Sequence, residues 1–336
     1  MTEMKLTPFT VKSVHKTVSE SPYAEQKLFP FSVESITGRS AATHIPYGIE
    51  QLKAPELWKE GEKGEGIVIC VLDTGIDFTH PDLSDRIIDG RNFTNEGPKD
   101  DITDRNGHGT HVAGTIAASE NGTGVIGIAP NAKLLIGKVL DRHGSGGYRG
   151  ITNAIRWATK WRGPNNERVR VINMSLGGPF DDREQYKAIL EACAAGIVVV
   201  VASGNEGDAN EETFEYGYPS LYRECITVAA CDEEKKFAYF SNNSKEVDII
   251  AAGVEVLSCY PKGQYAVLSG TSMATPHISG ALALIINSAE KRFRRELSEA
   301  EIYAALVECC CSLGYKASTE GHGLPDLTKL NNKCEE

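Results

Sequence analysis

No long hydrophobic run exists in this sequence. Its longest apolar stretches, Ile197–Ala202 and Ala281–Ile286, are far too short to span a bilayer. The first residues, Met1 to Thr7, carry no apolar signal core, so no membrane association is expected and the cytoplasm is the expected location. A disulfide framework is also lacking. The nine cysteines are odd in number, form no CxxC pair and fall partly inside apolar runs such as Ile69-Cys70-Val71, which fits a reducing compartment. Excess positive charge is missing too: the net charge of −11 argues against a nucleic-acid partner. There are no internal repeats and no low-complexity tract. The run Cys309-Cys310-Cys311 reads as a reduced helical segment, because no second ligand cluster accompanies it. Sequons starting at Asn92, Asn121, Asn173 and Asn242 carry no meaning without secretion.

What is present is the length and apolar content of a soluble protein with a sizeable core. Residues 1–41 are polar, weakly periodic and broken by Pro8, Pro22 and Pro30, and read as an extension laid onto the domain. From Pro46 onward, β-branched apolar runs alternate with helical patterns. Ile67–Leu72, Lys133–Val139, Val169–Met174 and Val198–Ala202 read as buried strands. Thr110–Ala118, Tyr148–Trp161, Arg183–Ala195 and Thr271–Asn287 read as helices. Such alternation predicts an α/β fold, a mostly parallel central sheet with helices on both faces. Ser298-Glu299-Ala300-Glu301 is a capping box opening a further helix. No second core is visible, so residues 42–330 form one domain and 331–336 a short tail.

Three distant stretches are each built to present one reactive group. Asp73 closes Val71-Leu72-Asp73, at the carboxyl end of a strand, where open α/β sheets place their sites. Alone, Asp73-Thr74-Gly75 is also good turn chemistry. It is the aspartic-protease signature as well, but that mechanism needs two such carboxylates and no second Asp-Thr/Ser-Gly exists. His108 stands between glycines at a helix entry. Zinc held by His108 and His111 would need a third ligand motif that the sequence lacks, and His111 reads as structural. Ser272 follows Gly270-Thr271 at the start of a helix, where its N–H would point toward a site. In isolation Gly-Thr-Ser is an ordinary helix cap. Together the three make an Asp, His, Ser order known for a serine-hydrolase triad. Asn205, in the loop Ala202-Ser203-Gly204-Asn205-Glu206-Gly207 after a buried strand, is the candidate amide donor to an oxyanion.

Through these motifs the chain resembles the subtilisin-like serine proteases (subtilases) over nearly everything from about Ile45 to Leu327. The carrying motifs are Val71-Leu72-Asp73-Thr74-Gly75, Gly107-His108-Gly109-Thr110-His111-Val112-Ala113-Gly114 and Gly270-Thr271-Ser272-Met273-Ala274-Thr275-Pro276. Within the family it is most similar to the intracellular subtilisins of spore-forming bacteria, through Asn92-Phe93-Thr94, Ile102-Thr103-Asp104 and Leu297-Ser298-Glu299-Ala300-Glu301. The resemblance implies a three-layer subtilisin-like fold and a serine endopeptidase acting on protein and peptide substrates through an acyl-enzyme. Asp73, His108 and Ser272 are the implied triad, with Asn205 as second oxyanion donor.

The resemblance implies further roles. Gly144-Ser145-Gly146 and Ser175-Leu176-Gly177-Gly178 match two edges that bind an extended peptide as an added strand. Gly217 matches the floor of the primary pocket, which leaves room for a large apolar side chain before the cut: Phe, Tyr, Leu or Met. Ca²⁺ is the implied cofactor, held by the side chains of Asp82 and Asn121 and main-chain oxygens of Ser119, Thr123 and Val125. Where the family often adds a Gln, this chain has Thr43. The extension would be an inhibitory propeptide with a proline motif, either Leu6-Thr7-Pro8-Phe9 or Leu28-Phe29-Pro30-Phe31, removed by a cut between Ser32 and Thr43. A homodimer is also implied. Gly122-Thr123-Gly124-Val125-Ile126-Gly127 spells a nucleotide fingerprint but follows a helix, which argues against that use. Two rival readings remain open at this stage. One is a non-catalytic member of the same fold, and the other is a ligase that passes the acyl group to an amine.

Overall fold

The computed structural model describes residues 25–38 and 42–330. In chain order, an N-terminal arm carries β1 (Glu25–Lys27) and β2 (Ser32–Thr37). The domain then runs β3 (Val68–Asp73), β4 (Ile87–Asn92), α1 (His108–Ala117), β5 (Lys133–Lys138), β6 (Ser145–Gly147) and α2 (Tyr148–Lys160). It continues through β7 (Val169–Met174), α3 (Arg183–Ala194), β8 (Val198–Ala202), β9 (Cys225–Cys231) and β10 (Val247–Ala252). It closes with β11 (Val256–Tyr260), β12 (Gln264–Ser269), α4 (Thr271–Phe293) and α5 (Glu299–Cys309).

Seven strands form one parallel sheet in the order β10-β9-β8-β7-β3-β5-β4. Its central strands are buried on both faces, which is why they read as unbroken apolar runs. Alternate residues of β3 serve two cores. Ile69 and Val71 pack with α1 and α4 on one face, while Val68, Cys70 and Leu72 pack with Ile151, Ile155, Ile189 and Ala192 of α2 and α3 on the other. This is the expected three-layer α/β architecture. α4 is buried almost continuously from Thr271 to Ile286, matching its apolar character all round, and runs six residues beyond the expected end at Asn287.

α5 opens with the expected capping box at Ser298 and Glu301. The three-cysteine run departs from expectation: Cys309 ends α5, but Cys310 and Cys311 are extended and pair with Leu324–Pro325. Leaving the helix there lets Cys310 and Cys311 complete a two-residue ribbon. A separate antiparallel sheet has the order β11-β12-β2, with the arm at its edge.

Candidate active site

The sheet order reverses at β3: the chain fills β4 and β5 on one side of it, then β7 to β10 on the other. Asp73 ends β3, Ser175 follows β7 and Asn205 follows β8, so all three lie at strand carboxyl ends around this switch point. His108 and Ser272 stand in the first turns of α1 and α4. Local geometry demands the flanking glycines. Gly75 has φ +112° and an added Cβ would lie 2.4 Å from the Ile102 carbonyl oxygen. Gly107 has φ +110°, and its Cβ would lie 2.3 Å from the Tyr260 ring.

Asp73 and His108 are both buried, with Asp73 Oδ1 2.8 Å from His108 Nδ1. Asp73 Oδ1 also accepts the Thr74 N–H at 2.7 Å. The other ring nitrogen, His108 Nε2, has no hydrogen-bond partner among the described residues. The Ser272 hydroxyl is buried and donates to the Ser175 carbonyl at 3.2 Å. Asn205 Oδ1 accepts both the N–H and the hydroxyl of Thr271 at 2.8 Å, which ties the loop after β8 to the start of α4 and aims the amide Nδ2 outward.

Two residues to which sequence reasoning assigned no role hold this frame. Asp104 accepts five hydrogen bonds: from Thr74 Oγ1, the N–H groups of Asn106, Gly107 and Thr110, and Thr110 Oγ1. It thereby pins the turn after Asp73 to the loop before His108. Lys138 is fully buried at the end of β5 and donates to the Thr74 carbonyl at 2.6 Å. Burial pushes its ammonium pKa down, opposed by the Asp104 and Glu96 carboxylates. A lysine closing an apolar strand leaves a weak signal, since it also reads as a strand end. His111 is structural as expected: its Nε2 faces the carbonyls of Val256 at 2.9 Å and Ala266 at 3.2 Å.

The arm lies in the cleft. β1 pairs antiparallel with β6, Glu25 opposite Gly147, Gln26 opposite Gly146 and Lys27 opposite Ser145. Leu28 N–H donates to the Gly144 carbonyl at 2.9 Å. On its other side Lys27 exchanges two backbone hydrogen bonds with Gly177, at 2.8 and 3.0 Å. The arm is thus a third strand between Gly144–Gly147 and the segment holding Ser175, Leu176 and Gly177, the two edges named from the sequence. Leu176 itself is buried in the core. Phe29 is 7% exposed, and its ring fills the space over Gly177 and Gly217, where added Cβ atoms would lie 2.2 and 4.0 Å from it. The Pro30 carbonyl accepts from Asn205 Nδ2 at 2.6 Å, and the Phe31 ring packs on His108 with centroids 5.0 Å apart. Leu28-Phe29-Pro30-Phe31 lies in the cleft; Leu6-Thr7-Pro8-Phe9 lies outside the described residues.

The five residues named for calcium also come together. Asp82 is fully buried; its Oδ1 accepts from Asn121 Nδ2 at 2.8 Å, and its Oδ2 from the Val125 N–H at 3.1 Å and the Tyr265 hydroxyl at 2.7 Å. Asn121 Oδ1 accepts from the N–H and hydroxyl of Thr123. The Ser119 N–H donates to the Asp82 carbonyl, and its own carbonyl accepts from Asn121. Thr43 lies opposite Gly124, beside this loop. The Asp82 carboxylate is thus engaged by an amide, a backbone N–H and a hydroxyl, and the Asn121 and Ser119 oxygens accept from Thr123 and Asn121, so a hard cation held here would have to replace hydrogen bonds that the loop makes to itself.

A parallel α/β sheet that gathers a buried carboxylate–imidazole pair, a serine at a helix start and an outward amide, all facing a strand-binding cleft, defines a hydrolase of extended polypeptides. The profile of the subtilase family matches residues 64–324. An intracellular serine protease of Paenibacillus polymyxa is 47% identical over 91% of this chain and 92% of its own length. The major intracellular serine protease of Bacillus subtilis (strain 168) is 46% identical over 87% of this chain and 90% of its own. Subtilisin E of the same strain is 42% identical over 82% of this chain and 71% of its own. The chain belongs to the subtilase family of serine endopeptidases.

Proposed function

We propose that the chain is made as a zymogen and, once its arm is removed, cleaves polypeptides after large apolar residues through Asp73, His108 and Ser272. His108 Nε2 takes the proton as Ser272 Oγ exchanges the Ser175 carbonyl for the imidazole and attacks the scissile carbonyl. Asp73 fixes the ring with Nδ1–H toward the carboxylate and stabilises the imidazolium. The Asn205 amide and the Ser272 N–H bind the oxyanion. His108 then gives its proton to the leaving amine and activates the water that releases the acyl group.

The observation that carries this reading is the arm's register. A chain about to be cut would place the carbonyl of its pocket residue on the Asn205 amide. Here Phe29 fills the pocket while the carbonyl on Asn205 belongs to Pro30, one residue further on. Pro30 fixes φ and offers no N–H, which favours this offset. Cleft and arm therefore fit as enzyme and uncleavable ligand. Phe29 also supports a preference for Phe, Tyr, Leu or Met in the pocket.

Asp82 and Asn121 with the main-chain oxygens of Ser119, Thr123 and Val125 would hold Ca²⁺. Such an ion supplies charge compensation that stiffens the loop and takes no part in proton transfer. The closely similar proteins are named as intracellular, and no described helix is long and apolar enough to cross a membrane, which supports turnover of cytoplasmic proteins as the setting. The test is Ser272→Ala with a fluorophosphonate probe on the parent chain. The variant should lose all turnover, and the parent should gain one adduct on Ser272 when the arm is gone. Full activity in Ser272→Ala would refute the mechanism.

A further inference from the structure

The arm does not stop at the cleft. Beyond Phe31 it continues as β2, antiparallel on the outer edge of β12. Ser32 lies opposite Ser269, Val33 opposite Leu268, Ser35 opposite Val267, Ile36 opposite Ala266 and Thr37 opposite Tyr265. The other edge of β12 is already paired with β11. Loss of β2 therefore bares a row of backbone N–H and C=O groups on a strand that leads directly into Ser272. Counting from the carbonyl held by Asn205, Pro30 to Ser32 is two residues and Pro30 to Thr37 is seven, so one extended chain runs continuously from cleft to edge.

Side chains do little to hold β2. All of its residues are exposed, Val33 at 47% and Ile36 at 49%. Glu34 is an extra residue at a register shift between Val267 and Leu268, where its carboxylate accepts from Ser269 Oγ at 2.7 Å. An attachment made through backbone groups is tolerant of sequence. The half of the arm in the cleft, by contrast, lies between two backbones and fills a pocket.

We infer that the β12 edge is an exosite for the leaving-group side of the substrate. Once β2 departs, Gln264–Ser269 takes up the chain following the scissile bond as an added antiparallel strand, out to about seven residues past the carbonyl on Asn205. The inference rests on the peptidase reading of the cleft. The occupant is an extended, unfolded stretch of protein. Folded proteins cannot supply it and short peptides do not reach it, so the edge selects denatured chains over small peptides.

The test uses the chain after loss of its arm, followed by intact mass. A chromogenic peptide ending at the pocket residue reports the cleft alone. Internally quenched peptides carrying two and then seven residues after the cut report the edge. Lengthening should raise kcat/KM on the order of tenfold, since several backbone hydrogen bonds each contribute modestly. N-methylation of alternate amides beyond the second residue supplies the internal control. One alternating set, whose N–H groups face β12, should erase the gain, and the complementary set should leave it intact. No gain on lengthening, or equal loss from both sets, overturns the exosite while the chromogenic peptide still shows a working cleft. An active enzyme that retains residues 32–37 overturns it as well. Failure to cut the chromogenic peptide is a different result, because it refutes the peptidase reading itself.

Discussion

The two halves of the arm touch the domain in opposite ways. Residues 25–28 lie between two stretches of backbone, and residues 25–31 together bury Gln26 and Phe29 and place a carbonyl on Asn205. Gln26 even exchanges side-chain hydrogen bonds with Gln185, at 3.1 and 2.6 Å, and donates to the Tyr218 carbonyl. Residues 32–37 lie on one edge with exposed side chains, of which Glu34 bonds to Ser269 of the domain. The first half recognises and the second half only adheres. A segment that must both block a site and be removed needs this division. On the proposed zymogen reading, tight contact at the cleft would keep the site shut, and the exposed stretch beyond it would admit a cut. Because Phe29 occupies the domain's own pocket, a bond between Ser32 and Thr43 is out of reach of its own Ser272. The cut then comes from a second molecule, and the initial rate of arm loss should rise with the square of protein concentration. A rate merely proportional to concentration would mean that each molecule cuts itself.

The largest effect should come from the group shared by arm and substrate. Asn205→Ala removes the donor that holds Pro30 and would hold an oxyanion. Loss of such a donor, measured in a subtilisin, costs about 10²–10³ in turnover. On the arm-free enzyme kcat should fall by that order with KM little changed. An equal rise in KM would make Asn205 a binding group only.

Next in size is an acid effect on the ribbon that carries the weaker half. Burial holds the His111 imidazole at about 3 and that of His277 at about 4. Each is neutral in the folded chain, whereas the unfolded chain binds a proton below about pH 6.5. The unfolded state thus binds more protons between these values, so stability is full above pH 6.5 and falls as acid is added. Each histidine contributes a slope of about 1.4 kcal/mol per pH unit within its window. His111 lies under the sheet that carries β2, with Nε2 facing the carbonyls of Val256 in β11 and Ala266 in β12; these contacts favour the charged ring, so the acid penalty is the cost of a charge in a fully buried site. Chemical denaturation from pH 7 to 4 should show this slope, and His111→Gln should flatten it. An unchanged slope would assign the acid sensitivity elsewhere.

The sequence made the site legible in proportion to how local its grammar is. Asp73, His108 and Ser272 announce themselves because each needs glycines and a strand or helix end beside it, and those neighbours are contiguous. The edges at Gly144–Gly146 and Ser175–Gly177 were reached only through the family resemblance, and the arm lies against both. Asp104 and Lys138 were not legible, because the partner they share, Thr74, lies 30 and 64 residues away and meets them only in the fold; the bonds of Asp104 to Asn106, Gly107 and Thr110 are local but read as ordinary turn chemistry. The cysteine run was misread because apolar character alone does not separate a helix end from the ribbon that Cys310 and Cys311 form with Leu324–Pro325. Within the arm, the pattern Leu-x-Pro-Phe marked two stretches, Leu6-Thr7-Pro8-Phe9 and Leu28-Phe29-Pro30-Phe31. The fit of Phe29 over Gly177 and Gly217 seats the second of them in the cleft, and the first lies outside the described residues.

The comparison between the two halves can be sharpened by truncating one apolar side chain in each. Phe→Ala in a closed core costs about 3–5 kcal/mol, and a pocket open on one side should retain about half of that. Phe29→Ala should therefore raise the rate at which the full-length chain reacts with a fluorophosphonate by roughly 30-fold, since the probe reports the fraction of time the arm is open. Val33→Ala and Ile36→Ala remove two and three carbons rather than a ring, and from side chains about half exposed. Such surface substitutions stay within about 0.5 kcal/mol, which is about a twofold change in the same rate. If Ile36→Ala opened the arm as much as Phe29→Ala, the two halves would come away as one cooperative unit. The arm would then be held along its whole length, and the β12 edge would contribute to inhibition as strongly as the pocket does.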